Sequence, residues 1–200
     1  MTGGRFVVLE GGEACGKTTQ ARLLVTRLRE DGRDVVATFE PGNTEVGAQI
    51  RALLLDGPER IEPATEVLLL AADRAQHVKE VVRPALARGA VVVSDRYVPS
   101  SLAYQGVGRG LGVERVEEIN RWATGGLDPD LVVVLDLPDD AAALREVGSP
   151  DRLERESIEF HARVRGAYRA LAVERDWVVV DASRSIEEVA DSVWAAVTKS

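Results

Sequence analysis

The segment Gly11-Gly12-Glu13-Ala14-Cys15-Gly16-Lys17-Thr18 constrains this chain more than any other. Gly11 and Gly16 flank four residues, and Lys-Thr follows at once, with Thr19 next. The apolar run Phe6-Val7-Val8-Leu9 precedes the segment, and a helical pattern opens at its end. A loop in that setting points its backbone N–H groups inward and adds the positive end of the following helix, which suits a polyphosphate. Gly11 and Gly16 permit backbone angles and close approaches that a Cβ would obstruct. Lys17 is placed to reach the β- and γ-phosphates, and the Thr18 hydroxyl to ligate Mg2+. The expected polyphosphate contacts are therefore Gly11, Gly12, Glu13, Ala14, Cys15, Gly16, Lys17, Thr18 and Thr19.

Short apolar strands alternate with amphipathic helices along the rest of the chain. The strands are expected at Arg5–Glu10, Asp34–Phe39, Ala90–Asp95, Leu131–Asp136 and Trp177–Asp181. Most are near-continuous Val/Leu runs, which suits parallel strands covered on both faces. Helical patterns fall at about 17–31, 44–56, 63–88, 99–124 with a break near 106–112, 141–146, 152–175 and 186–197. The pattern predicts an α/β fold: a three-layer, doubly wound, parallel five-stranded sheet that binds ligands beyond the carboxyl ends of its strands. One domain spanning 1–200 is expected, with a mobile lid around 141–156.

Composition narrows the function. A net charge of −8 argues against a general nucleic-acid binder, which would carry a basic face. One cysteine gives no internal disulfide and no cysteine-based metal site. No secretory leader is expected before the first strand, and no apolar run reaches the roughly 18 residues of a membrane span. The expected address is cytoplasmic, away from membranes.

Downstream, the strand Val91-Val92-Val93-Ser94-Asp95 ends in a carboxylate followed by Arg96. Asp95 could hold Mg2+ and Arg96 could grip phosphate with its planar fork; a plain strand-end ion pair is the alternative. Helical spacing puts Tyr97, Ser100, Ser101, Tyr104 and Gln105 on one polar face, which suits a base or sugar or is simply solvated. Arg74 interrupts the apolar stripe of Val67, Leu70, Ala71, Val78, Val81 and Ala85. A charge there needs a partner, so Arg74 is either a buried ion pair or a ligand contact. Arg145, Arg152 and Arg155 surround Gly148-Ser149-Pro150, where a closing segment could bring cations over a transferring phosphoryl group. Cys15 sets a thiol at a helix N-terminus, a setting that can activate it. His77, His161 and Asp136 carry no motif and receive no role.

Taken in order, these pieces resemble the thymidylate kinase family, bacterial type, over nearly the whole length. The matching stretches are Glu10-Gly11-Gly12-Glu13 with Gly16-Lys17-Thr18-Thr19-Gln20, Glu40-Pro41-Gly42, Ala72-Asp73-Arg74, Asp95-Arg96-Tyr97, Ser100 to Gly106, Gly125-Leu127-Pro129-Asp130, Leu135-Asp136-Leu137-Pro138 and Asp151-Arg152-Leu153-Glu154. The resemblance implies a nucleoside monophosphate kinase fold, ATP-dependent phosphorylation of dTMP to dTDP, Mg2+ and a homodimer. It implies catalytic roles for Lys17, Arg96, Arg145 and Arg152. Glu13, Pro41, Leu70, Arg74, Arg96, Ser101, Tyr104 and Gln105 would contact dTMP. In that set Arg74 and Ser101 read the thymine edge, Glu13 meets the sugar 3′-hydroxyl and Tyr104 crowds the sugar 2′ position. Thr18 and Asp95 would lie around the metal. The chain departs from the family pattern at Phe39 (usually Arg), Asn43 (usually Gly), Leu70 (often Phe), Ala14 (often basic) and Cys15 (usually small). A kinase for another nucleoside monophosphate and a non-catalytic nucleotide-binding module are the competing functions.

Overall fold

A computed structural model describes residues 3–138, 141 and 151–199. The five strands are β1 (Arg5–Glu10), β2 (Val35–Phe39), β3 (Val91–Asp95), β4 (Leu131–Asp136) and β5 (Val178–Asp181). They pair in the order β2-β3-β1-β4-β5, and every pairing is parallel. Each observed strand lies within one residue of the stretch its Val/Leu run predicts. The helices are α1 (Lys17–Glu30), α2 (Glu45–Leu55), α3 (Pro63–His77), α4 (Arg83–Ala87), α5 (Val98–Ser101), α6 (Val113–Thr124), α7 (Ile158–Glu174) and α8 (Ile186–Lys199).

Alternation along the strands builds the three layers. Val7 and Leu9 of β1 and Val133 and Leu135 of β4 point to the face where Leu24, Leu28, Val189 and Val193 of α1 and α8 pack. Phe6 and Val8 point the other way, toward Val78, Val82 and Tyr97, while Val132 and Val134 meet Phe160 and Tyr168 of α7. Period-2 side-chain direction thus gives a sheet covered on both sides, which is why its strands read as unbroken apolar runs.

Three helical expectations change. The pattern over 63–88 is broken by a wide π-turn, Val78–Val82, between α3 and α4. Pro84 explains it: the ring has no N–H to give Glu80 and would strike that carbonyl in a regular helix. The pattern from 99 likewise passes from α5 into a π-segment, Leu102–Gly108, before α6. The pattern over 152–175 begins only at Ile158, where the Ser157 hydroxyl accepts from the Phe160 amide at 3.2 Å. Residues ahead of it turn instead, because Asp151 Oδ1 takes the amides of Leu153 and Glu154 at 2.8 and 2.9 Å. The helix expected at 141–146 and most of the expected lid lie outside the described residues.

Parallel pairing brings four strand ends to one edge. Leu9 and Phe39 stand level with Asp95, and Glu10 with Val134. The loops that leave this edge carry the phosphate-loop residues, Glu40-Pro41-Gly42 and Arg96. Leu135, 1% exposed, sits at the centre of this arrangement. Leu135→Ala should lower unfolding free energy by about 2–5 kcal/mol, read from the midpoint of urea denaturation.

Candidate active site

The loop after β1 is held open by backbone shape. Gly11 has φ +139°, and a Cβ there would meet the Leu135 carbonyl oxygen at 2.4 Å. Gly16 at φ +91° turns the chain into α1, whose first N–H groups face the same space. Lys17 is buried, and its ammonium donates to the carbonyls of Gly11 at 3.2 Å and Gly12 at 2.6 Å. Thr18 Oγ1 donates to Asp95 Oδ2 at 2.5 Å. Two hard oxygen donors therefore meet beside the loop, the type Mg2+ prefers, since it is held by few carboxylates together with phosphate oxygens.

Arg96 follows Asp95 at φ +74°, a left-handed backbone uncommon outside glycine. Its own amide donates to the Leu9 carbonyl at 3.0 Å, and its carbonyl accepts from Ser94 Oγ at 2.7 Å. That bend throws the guanidinium across the site. It donates to Glu13 Oε1 at 2.9 Å, to Ser100 Oγ at 3.1 Å and to the Gly11 carbonyl at 3.4 Å, and lies over the Tyr104 ring. Tyr104 also donates its hydroxyl to Glu13 Oε1. Burial alone would raise the Glu13 pKa, but Arg96 and Lys17 outweigh it and bring the carboxyl down to about 2. Beneath them Glu10 is fully buried and accepts from the Tyr97 amide at 2.7 Å, from Ser100 Oγ at 2.7 Å and from the Tyr168 hydroxyl at 2.8 Å.

A cavity of about 890 Å³ runs from this cluster to a second polar group. Its walls include Lys17, Thr18 and Asp95 together with Leu70, Arg74, Ser101, Tyr104 and Gln105. Arg74 is the buried ion pair that its position suggested, joined to Glu40 at 2.7 Å, and its side chain also reaches a cavity wall. It also donates to Asn120 Oδ1, to Ser101 Oγ at 3.1 Å and to the Tyr97 carbonyl at 3.1 Å. Glu40 in turn meets His77 Nδ1 at 2.7 Å, and His77 Nε2 meets Thr38 Oγ1 at 2.5 Å. The histidine left without a role is therefore a buried strut under the Glu40-Pro41-Gly42 loop.

Pro41, Glu13, Ala14, Gly16 and Thr19 line the same cavity. Several other expectations fall differently. Cys15 is turned inward among the core residues beneath the loop, 3% exposed, so its thiol does not stand at the open face where a reactive one is expected. Tyr97 leaves the polar face as well. Its ring packs edge-on against Phe6 at 4.9 Å, and its hydroxyl reaches the Leu127 carbonyl. Arg152 is drawn into a buried ion pair with Glu66 at 2.6 Å and donates to the Leu54 carbonyl at 2.7 Å, away from the phosphate loop. A buried carboxylate in reach of a guanidinium outcompetes water for it. Arg145 lies outside the described residues.

Sequence reasoning missed three contributors. Arg51 borders the cavity, lies over the Phe39 ring and donates to the Pro41 carbonyl at 2.8 Å. Arg165 of α7 packs its stem against Gly12. Glu66 is fully buried and binds Arg152, Arg109 and Gln105. Its signal was available: a carboxylate four residues before Leu70 and eight before Arg74 lies on the same helical stripe.

Asp73 offers a test of this buried network. Its Oδ1 accepts from the Gly42 amide at 2.9 Å, while its Oδ2 has no partner among the described residues. Burial, then the charge of Glu40, push its pKa up to about 6. An unfolded Asp titrates near 3.9, so the folded state binds the extra proton between about pH 4 and 6 and stability falls as pH rises through that window. Asp73→Asn should remove this slope. Urea midpoints from pH 4 to 8 should show the variant gaining on the parent up to about pH 6 and then holding a constant difference.

A family model described as thymidylate kinase matches residues 9–193. The chain is 54% identical over 195 residues to a thymidylate kinase from Leifsonia xyli subsp. xyli, covering 95% of this chain and 92% of that protein. It is 49% identical over 199 residues to a thymidylate kinase from Halothermothrix orenii, covering 97% and 96%. A thymidylate kinase from Deinococcus radiodurans is 48% identical over 204 aligned positions, covering 100% and 98%.

Proposed function

We infer from the thymidylate kinase family, to which this chain belongs, that it phosphorylates dTMP to dTDP with ATP as the donor. One observation carries the residue-level reading: the same cavity is bordered by Lys17 of the phosphate loop and Arg96, and by Arg74, Ser101 and Gln105. Two nucleotides laid end to end in it would meet near Arg96. Phosphoryl transfer asks little covalent chemistry of the protein. It asks for in-line alignment and for charge that offsets what builds on the transferring oxygens.

Lys17 and the loop amides cradle the ATP phosphates in this reading. Arg96 holds the acceptor phosphate, its fork fixed by Glu13, Ser100 and Tyr104. Glu13, ionised across the physiological range, is free to take the sugar 3′-hydroxyl on its other oxygen. Tyr104, tied to Glu13, crowds the 2′ position and disfavours ribonucleotides. Pro41 and Leu70 contact the acceptor through apolar surface. Thr18 and Asp95 would hold Mg2+, which when bound neutralises phosphate charge. Arg145 belongs to the segment proposed to close over the site, and Arg152 fastens that segment's carboxyl end to Glu66.

The proposed compartment is the cytoplasm, where its nucleotide substrates are found; no described helix is long and apolar enough to cross a membrane. The acidic net charge of −8 disfavours nucleic acid as a partner. A homodimer would cover exposed apolar side chains on three neighbouring helices, Leu53 of α2, Leu68 of α3 and Trp122 of α6. Leu68→Asp should then shift the sedimentation coefficient toward that of a monomer at micromolar concentration.

The deciding experiment measures ADP release with dTMP, dUMP, dCMP, dGMP and UMP as acceptors. dTMP should be preferred. A better rate with another base would assign the chain to a different acceptor, and no ADP with any acceptor would leave a nucleotide-binding module. Lys17→Ala should lower kcat at least ~10²-fold, the scale of removing one charge-stabilising donor. Unchanged turnover would remove Lys17 from the reaction.

A further inference from the structure

Gln105 presents an amide that is a donor at one end and an acceptor at the other, so its orientation decides what it can recognise. Its Nε2 donates to Glu66 Oε1 at 2.8 Å, and the side chain borders the cavity beside Arg74 and Ser101. An ionised carboxylate only accepts, so the nitrogen must face Glu66 and the carbonyl oxygen is left for the cavity. Among the described residues no protein group donates to that oxygen.

Glu66 is itself bonded through both oxygens. Its Oε1 also accepts from Arg109 Nε at 3.2 Å, and its Oε2 accepts from Arg109 Nη2 at 3.2 Å and Arg152 Nη2 at 2.6 Å. Burial works against its ionised form, but the bonds from Arg109, Gln105 and Arg152 outweigh burial and hold its pKa below the ordinary carboxyl value. The carboxylate therefore stays charged and in place while the amide beside it is read.

We propose that Glu66 is a positioning residue for base selection: by locking Gln105 with its carbonyl toward the cavity, it makes the pocket require a hydrogen-bond donor on the ring nitrogen of the acceptor base. Thymine and uracil carry N3–H. Cytosine carries a lone pair at N3 and would face another lone pair. Such a mismatch leaves buried polar groups unpaired, which is the costly kind of misfit. The inference rests on the proposed placement of the acceptor base against Arg74, Ser101 and Gln105.

The test is Glu66→Gln, which replaces the obligate acceptor with a group that can donate or accept and frees the Gln105 amide to turn. The quantity read is the ratio of kcat/KM for dTMP over dCMP. It should fall at least about tenfold, with KM rising for dTMP and falling for dCMP. In a Gln105→Leu background the same substitution should leave the ratio unchanged, because the group through which Glu66 acts is gone. Equal losses for both nucleotides, with the ratio preserved, would overturn the proposal and leave Glu66 a structural anchor. If Glu66→Gln does not fold, Glu66→Asp keeps the charge for the two arginines but withdraws it from Gln105, and the same ratio decides. Failure of the parent enzyme to use dTMP at all would instead overturn the underlying placement.

Discussion

The Arg74 side of this cavity depends on Glu40, a carboxylate held inside the protein between two partners. Its carboxylate is 3% exposed and faces Arg74 on one oxygen and His77 on the other. A guanidinium and a carboxylate at 2.7 Å in that setting stabilise each other mainly because each is ruinous alone. The pair does more than hold two elements together. With Nε committed to Glu40, the guanidinium plane is fixed, and its remaining edge is aimed along Ser101, Asn120 and Tyr97 at the cavity wall. The orientation of Arg74 is thus set by a residue just past the end of β2, from another part of the chain.

The fold was largely legible because parallel strands covered on both faces announce themselves as apolar runs: β4 carries no polar residue before its last position, and β1 none between Arg5 and Glu10. The phosphate loop was legible because its geometry needs glycine where a Cβ would strike Leu135. Partnerships were not legible. Nothing local says that Arg152 is held by Glu66, 86 residues earlier, or that Arg74 pairs with Glu40, 34 residues earlier. Sequence spacing reports which groups share a helical face, and buried charges choose partners across elements. For the same reason Tyr97 looked like a ligand contact from its helical offset, although a large ring beside Phe6 contributes more by filling the core.

The departures from the family pattern have local settings. Phe39 takes the place of an arginine, and Arg51 from α2 lies over its ring and reaches the Pro41 carbonyl. Positive charge therefore borders the same loop from a different element. Asn43, standing where glycine is usual, donates to Thr38 Oγ1 at 2.7 Å and so joins the His77–Glu40 chain of bonds. Leu70 keeps an apolar wall against Leu54 and Leu55 without an aromatic face.

The wide turn at Val78–Val82 fixes the angular phase between α3 and the short helix after it. Each residue of an ordinary helix advances the side-chain direction by about 100°. Deleting one residue from the turn would swing all of α3 about its axis by roughly that angle while α4 stayed docked on the sheet. Leu70 and Arg74 would leave the cavity together, and Glu66, on the same stripe, would leave Gln105, Arg109 and Arg152. The length of a segment outside the cavity therefore decides which side chains line it as much as their identity does.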